Sequence, residues 1–196
     1  METNKISSLI APVKTKDLDL NFAAEIKQKH GVDINRCFHC QTCAGGCPFH
    51  MATDYPPNSI IRLVQLGFRK EALESSTIWL CVGCHTCAIQ CPMAIDMAAF
   101  MDALRQTAIK EGALVAEPDI LNFHRDVLHT IQRHGRTHKL EIMLRYKARK
   151  WDWFSDILVG TKMFAKRKLH LRPQKVKAIA QIQKTFQPQP DGVVYE

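Results

Sequence analysis

Two copies of one short pattern contain all eight cysteines of the 196 residues. The first copy, residues 37–48, reads Cys-Phe-His-Cys-Gln-Thr-Cys-Ala-Gly-Gly-Cys-Pro. The second copy, residues 81–92, reads Cys-Val-Gly-Cys-His-Thr-Cys-Ala-Ile-Gln-Cys-Pro and is identical to the first at seven of twelve positions. The spacing Cys-x2-Cys-x2-Cys-x3-Cys-Pro is typical of [4Fe–4S] ligands, because three thiolates at steps of three wind the backbone around one face of the cube. The two motifs therefore predict two [4Fe–4S] clusters.

The cysteine that precedes proline in each motif has a separate role. In two-cluster ferredoxins this fourth cysteine binds the cluster held by the other motif. Applied here, the rule predicts that the first cluster is held by Cys37, Cys40, Cys43 and Cys91. The second cluster is then held by Cys81, Cys84, Cys87 and Cys47. All eight cysteines are used.

Zinc and disulfides are the alternative uses of these cysteines. Zinc also binds Cys-x2-Cys pairs, but it gives no reason for an equally spaced triplet or for Cys-Pro. Residues 1–12 show no secretory signal, so we expect a reducing cytoplasmic location in which disulfides are rare.

Residues between the ligands could tune the clusters. The glycines predicted to let backbone amides approach the cluster are Gly45, Gly46 and Gly83. The apolar residues predicted to exclude water are Met51, Trp79, Val82, Ile89 and Ile95. We expect His39 and His85 to be surface loop residues, since the cysteines already meet the demand for ligands.

Apolar periodicity predicts an all-α or α-rich fold in three regions. Residues 1–36 are a leader whose helix carries Phe22 and Ile26 and ends at Gly31. Residues 37–116 are the cluster-binding domain, and residues 117–196 are a basic helical extension.

Each motif is expected to lead into a helix. After the first, Pro56 and Pro57 suit an opening turn, and Gly67 suits the end. After the second, Asp96 is a suitable N-cap for a helix over residues 97–110. Residues 69–74 predict a further short helix.

Charge and hydropathy limit the classes of partner. Residues 75–95 lack charged side chains but contain four cysteines, so we expect a metal-binding segment and no transmembrane helix. The net charge of +8 lies entirely in residues 117–196, which hold sixteen Lys and Arg against eight Asp and Glu. This excess predicts docking on acidic surfaces of partner proteins.

The motifs and their spacer resemble the α-helical ferredoxins, and within them the C-type subunits of heterodisulfide reductases and their relatives in sulfur-metabolising bacteria. Besides the cysteines, the resemblance is carried by the segments 22–26, 54–57, 79–81, 135–136 and 172–177. It implies a non-catalytic electron-transfer subunit that passes electrons from a flavin-containing A-type subunit to a disulfide-reducing B-type subunit. This sequence contains neither the adjacent Cys-Cys pair of the B-type partner nor a Gly-x-Gly-x-x-Gly flavin or nicotinamide loop.

Two other classes are less well supported. Iron–sulfur subunits of succinate dehydrogenase and fumarate reductase share the helical cluster region but carry a [2Fe–2S] domain before it, whereas no cysteine precedes Cys37. A zinc-stabilised nucleic-acid-binding protein would use basic runs such as residues 166–168, but such runs are more often a solvated face. We therefore expect no nucleic-acid partner. The histidines expected on the surface of the extension are His124, His129, His134 and His138.

Overall fold

The computed structural model describes residues 18–150, 162–163, 165–166 and 176–186. Every regular element in these ranges is a helix, so the all-α prediction is confirmed for the described part of the chain. The chain forms two compact units, residues 1–116 and residues 117–196. The first unit contains all eight cysteines.

Helix α1 spans Phe22–His30 and ends, as predicted, at Gly31, whose φ of 74° is in the left-handed region. Its buried side chains include Phe22 and Ile26, which are 0% and 1% exposed. A short 3-10 turn, Ile34–Arg36, then leads directly to the first cysteine. The described part of the leader, residues 18–36, thus contributes to the packed core of the first unit.

The first motif contains helix α2, Thr42–Gly45, and is followed by α3, Pro57–Gln65, with Pro56 as its N-cap. Beyond α3, Gly67 has φ 82°, and a Cβ there would lie 2.7 Å from the backbone of Asp19. Glycine is therefore required both by the backbone conformation and by the close approach of the chain.

Two short helices connect α3 to the second motif. Helix α4 spans Arg69–Leu73, one residue shorter than predicted, and α5 spans Ser76–Leu80. We did not predict α5, because its five residues are too few to show a helical period. Its N-cap Ser75 accepts a hydrogen bond from the Thr77 amide.

The second motif contains α6, Thr86–Ile89, and leads into α7, Met97–Glu111. The predicted N-cap is confirmed, since the Asp96 carboxylate accepts a 3.0 Å hydrogen bond from the amide of Ala99. Helix α7 packs against α1, α4 and α5 and so forms the centre of the first unit.

The second unit contains α8, Pro118–His134, α9, Lys139–Lys150, and α10, Ile179–Thr185. In this unit the prediction of surface histidines is wrong for His134, which is 4% exposed and binds Glu141 at 2.8 Å. Burial of this imidazole is possible because the carboxylate satisfies its Nε2.

For the same unit the sequence predicts ordinary packing of three aromatic residues, with an electron path or a partner contact as the alternative. The aromatic residues Trp151, Trp153 and Phe154, together with the basic run 166–168, lie wholly or partly outside the described residues. None of the described helices is long and apolar enough to cross a membrane.

Candidate iron–sulfur centre

Two cavities in the first unit are each lined by four cysteines. The cysteines of the first cavity are Cys37, Cys40, Cys43 and Cys91. The cysteines of the second cavity are Cys81, Cys84, Cys87 and Cys47. Each cavity thus receives three cysteines from one motif and the Cys-Pro cysteine of the other. These are the two groupings that the sequence rule describes.

The two motifs share their backbone conformation as well as their sequence. His39 and Gly83 occupy equivalent positions, and both are left-handed, with φ of 59° and 63°. Gln41 and His85 also correspond, with φ of 64° and 59°. Non-glycine residues rarely adopt such angles, so the sharp turns that bring successive cysteines to one cavity are built into both loops.

A threonine present in both copies of the motif contacts one cysteine in each. Thr42 Oγ1 lies 3.3 Å from Cys40 Sγ, and Thr86 Oγ1 lies 3.4 Å from Cys84 Sγ. In each pair the hydrogen bond between the threonine hydroxyl and the sulfur, together with the threonine amide, lowers the pKa of the exposed thiol. The thiolate, which is the form that binds iron, is thereby favoured.

The third cysteine of each motif is in the opposite environment. Burial raises the pKa of the Cys43 thiol, with a further contribution from Cys37. Burial together with Cys81, Cys43 and Cys84 raises the pKa of Cys87 to about 11. Thiols crowded together in a half-buried space resist ionisation unless a cation neutralises them.

His39 is held more firmly than a surface loop residue would be, so that expectation is wrong. Its side chain is half-buried, and its Nε2 lies 2.9 Å from Oε1 of Gln65 in α3. Its backbone amide donates a 3.4 Å hydrogen bond to Cys37 Sγ. Amide-to-sulfur hydrogen bonds of this kind raise the reduction potential of a bound cluster. By contrast, His85 is exposed, as expected.

The loops of the two motifs meet at Gly46 and Gln90. Helices α2 and α6 pack against each other, and a Cβ on Gly46 would overlap the side-chain amide of Gln90. A Cβ on the neighbouring Gly45 would meet nothing within 4 Å. A side chain at position 46 would therefore displace the Gln90 side chain of the other motif, and Gly46 itself lines the second cavity.

Apolar shielding of the centre is only partly as predicted. Trp79 and Ile95 are 2% and 4% exposed, as expected. The prediction is wrong for Met51 and Ile89, which are 85% and 82% exposed, whereas Val82 is 63% exposed but lines the second cavity.

The donor set fits a [4Fe–4S] cluster in both cavities. None of the eight cysteines is in a disulfide, and all are described. Among the described residues, no three His, Cys, Asp or Glu side chains converge as ligands of one metal ion would. A cube binds each thiolate at a different iron corner, so its four ligands need not converge in that way.

Comparison with known proteins supports an iron–sulfur protein. Residues 33–95 match a domain family described as the 4Fe-4S dicluster domain. The chain is 31% identical over 100 residues to the C-type subunit of the H(2):CoB-CoM heterodisulfide,ferredoxin reductase of Methanothermobacter marburgensis, covering 51% of this chain and 54% of the relative.

Other relatives carry similar names. The C-type iron-sulfur subunit of the CoB--CoM heterodisulfide reductase of Methanopyrus kandleri is 30% identical over 108 residues, which is 51% of this chain and 56% of the relative. A C-type iron-sulfur subunit of the enzyme of the same name in Methanocaldococcus jannaschii is 32% identical over 111 residues, 53% and 59%. The chain spans just over half the length of these relatives. The resemblance inferred from the sequence is confirmed by these relatives, whose names support a role in electron transfer.

Proposed function

We propose that this chain, whose residues 33–95 match a 4Fe-4S dicluster domain, is the electron-transfer subunit of a heterodisulfide-reductase-type complex. One observation carries the proposal: each of two cavities is lined by four cysteines, three from one motif and the Cys-Pro cysteine from the other. We assign one [4Fe–4S] cluster to each cavity. When bound, such clusters take up and release one electron at a time.

The residues of the chain prepare the centre for this role. Thr42 and Thr86 favour the thiolate forms of Cys40 and Cys84, and the thiolate is the form in which a cysteine binds iron. Cys87, with its pKa of about 11, carries a proton at neutral pH. It releases this proton when iron is bound, so the chain takes up less iron at lower pH.

The partners are inferred from the names of the relatives and from the chemistry that this sequence lacks. We propose that electrons come from a flavin-containing A-type subunit and leave to a B-type subunit that reduces a disulfide. Reduction of a disulfide to two thiols takes two electrons and two protons. The chain passes the electrons one after the other, while the protons are taken up at the partner.

Docking is assigned to the basic second unit. Residues 117–196 carry sixteen basic against eight acidic side chains, whereas residues 1–116 carry eleven of each. Positive charge of this extent favours acidic partner surfaces and makes association sensitive to ionic strength. We place the complex in the cytoplasm, where thiols remain reduced.

The test is reconstitution of the complex from separately prepared subunits without oxygen. With the A-type and B-type subunits present, we expect disulfide reduction to require this chain and to fall steeply with rising salt. A C40S/C84S double variant serves as the matched negative control, because it lacks one thiolate in each cavity. Equal disulfide reduction with and without the chain would overturn the proposal, as would assembly that is insensitive to salt and to removal of residues 117–196.

A further inference from the structure

The internal repeat extends beyond the cysteines to the turns that precede them. Ile34 lies three residues before Cys37, and Ile78 lies three residues before Cys81. Both isoleucines are fully buried, and each belongs to a short helical turn that ends at the first cysteine of its motif. Their backbone carbonyls therefore occupy equivalent places in the two turns that lead into the motifs.

Each of these carbonyls accepts a hydrogen bond from a side chain of the helix that follows its motif. Gln65 of α3 donates through Nε2 to the Ile34 carbonyl at 2.9 Å. Arg105 of α7 donates through Nε to the Ile78 carbonyl and through Nη2 to the Cys81 carbonyl. The two donors meet equivalent acceptors but differ in charge.

Gln65 and Arg105 also occupy equivalent positions in their helices. Each lies nine residues after its N-cap, Pro56 in α3 and Asp96 in α7. All four buried positions of α3 have buried counterparts in α7: Pro57, Ile60, Ile61 and Val64 match Met97, Phe100, Met101 and Leu104. At this equivalent position of the repeat, α3 therefore carries a neutral amide and α7 carries a guanidinium.

The charge on Arg105 is close to the second cavity and only partly exposed to solvent. A guanidinium is always protonated in proteins, and this one touches the carbonyl of Cys81, a cysteine of that cavity. Within the described residues it forms no ion pair with a carboxylate.

Arg36, the cation next to the first motif, is in a different situation. It is exposed, and the neighbouring carboxylate of Asp33 has its pKa lowered by Lys27 and, less strongly, by Arg36. Solvent and this carboxylate screen the charge of Arg36. Arg36 therefore does not give the first cavity a partly buried positive charge comparable with that of Arg105.

We infer that Arg105 is a positioning residue that sets the reduction potential at the second cavity. Its charge stabilises the added electron there, whereas Gln65 gives the first cavity a neutral donor at the same place. Arg105 therefore raises the potential of the cluster held by Cys81, Cys84, Cys87 and Cys47 above the value that it would have with a neutral donor at this position. The inference depends on the proposed function in that it assumes a cluster in each cavity.

The experiment is a redox titration of the full chain, followed by electron paramagnetic resonance. The two signals are assigned with C40S and C84S, each of which alters one cavity. The R105Q variant gives α7 a glutamine at the position where α3 has Gln65. We expect the potential of the second cluster to fall in R105Q, enough to change the distribution of one electron between the clusters several-fold, while the first keeps its potential. R62Q, the same change at an exposed position of α3, is expected to leave both potentials unchanged.

R105K separates charge from hydrogen-bond geometry. Because R105K keeps the positive charge, we expect its second cluster to have a potential close to that of the unsubstituted chain. The same result is expected for R105K if the R105Q variant does not bind the second cluster. An unchanged potential in R105Q, an equal fall of both clusters, or a fall in R105K as large as in R105Q would overturn the inference. So would loss of the second cluster in both variants, since Arg105 would then serve binding rather than potential. Absence of cluster signals from the unsubstituted chain would instead refute the proposed function.

Discussion

The carboxylate of Asp54, which follows the first motif, accepts a 2.7 Å hydrogen bond from Oγ1 of Thr77, which precedes the second. The same carboxylate accepts hydrogen bonds from the Thr77 amide, the Ser76 amide and the Ser75 hydroxyl. One side chain thus fixes α5, which ends at Cys81, against the segment that leaves the first motif. Burial opposes ionisation of Asp54, but the hydrogen bonds from Thr77, Ser75 and Ser76 outweigh it and lower its pKa to about 2.

We expect D54N to destabilise the first unit by about 1 kcal/mol at neutral pH, because hydrogen bonds to a charged acceptor are lost while solvent still reaches the site. The folded pKa of Asp54, about 2, lies below the ordinary value of 3.8, so the stabilisation is present above pH 4 and is lost as the pH falls toward 2. Urea unfolding followed by circular dichroism should show a difference between the two proteins that shrinks between pH 5 and pH 3.

The matched control is D102N, which changes an exposed carboxylate that accepts a hydrogen bond from Gln106 on the same helix. It should have little effect at any pH. A deficit of D54N that stays the same at pH 3 and pH 7 would refute this role for Asp54.

Arg69 joins the leader to the end of α7. Its guanidinium binds Asp19 at 2.7 Å, Glu25 at 2.6 Å and Glu111, and lies 4.4 Å from the ring centroid of Phe22. The hydrogen bond from Arg69 is the main cause that lowers the pKa of Glu25 to about 2. We expect R69M to lower the free energy of unfolding by roughly 1 to 2 kcal/mol, since three carboxylates lose a cation that water only partly replaces.

Limited proteolysis of R69M should cut first near α1. K70Q, which removes an exposed positive charge one residue away, is the control and should resist the protease as the unsubstituted chain does. If K70Q were as sensitive as R69M, loss of net charge rather than of these contacts would be the cause.

Gly46 makes room for the side chain of Gln90. We expect G46A to cost at most about 1 kcal/mol, because the flexible, exposed side chain of Gln90 must move away from the contact between α2 and α6. The measurement is the rate at which the brown chromophore is lost in air, which should rise in G46A and return toward normal in G46A/Q90A. G45A, one residue earlier, should behave like the unsubstituted chain. A double variant that bleaches as fast as G46A would show that the side chain of Gln90 is not the obstacle.

The sequence was sufficient to predict the helices whose ends carry strong local signals. The N-cap Asp96 and the left-handed Gly31 were both identifiable, because capping depends on a few neighbouring residues. The grouping of Cys47 with the second motif followed from a rule on Cys-Pro, which depends only on spacing.

Other features could not be found in this way. Arg105 and Gln65 touch carbonyls 27 and 31 residues away in the chain, and no local pattern records such a contact. The exposure of Met51 and the burial of His134 have the same origin, since both depend on which parts of the chain fold over those positions. The repeat did hold one unused signal: Thr42 and Thr86 are identical between the two motifs although neither binds metal.

The crossed assignment of the two Cys-Pro cysteines is tested most directly by C47S and C91S, examined beside C84S and C40S. The unsubstituted chain, prepared without oxygen, should contain about eight iron and eight sulfide per chain, as two [4Fe–4S] clusters require. In the reduced state, C47S should alter the same paramagnetic signal as C84S, and C91S the same signal as C40S. If C47S instead altered the signal that C40S alters, each motif would bind its own cluster with all four cysteines, and the crossed assignment would be wrong.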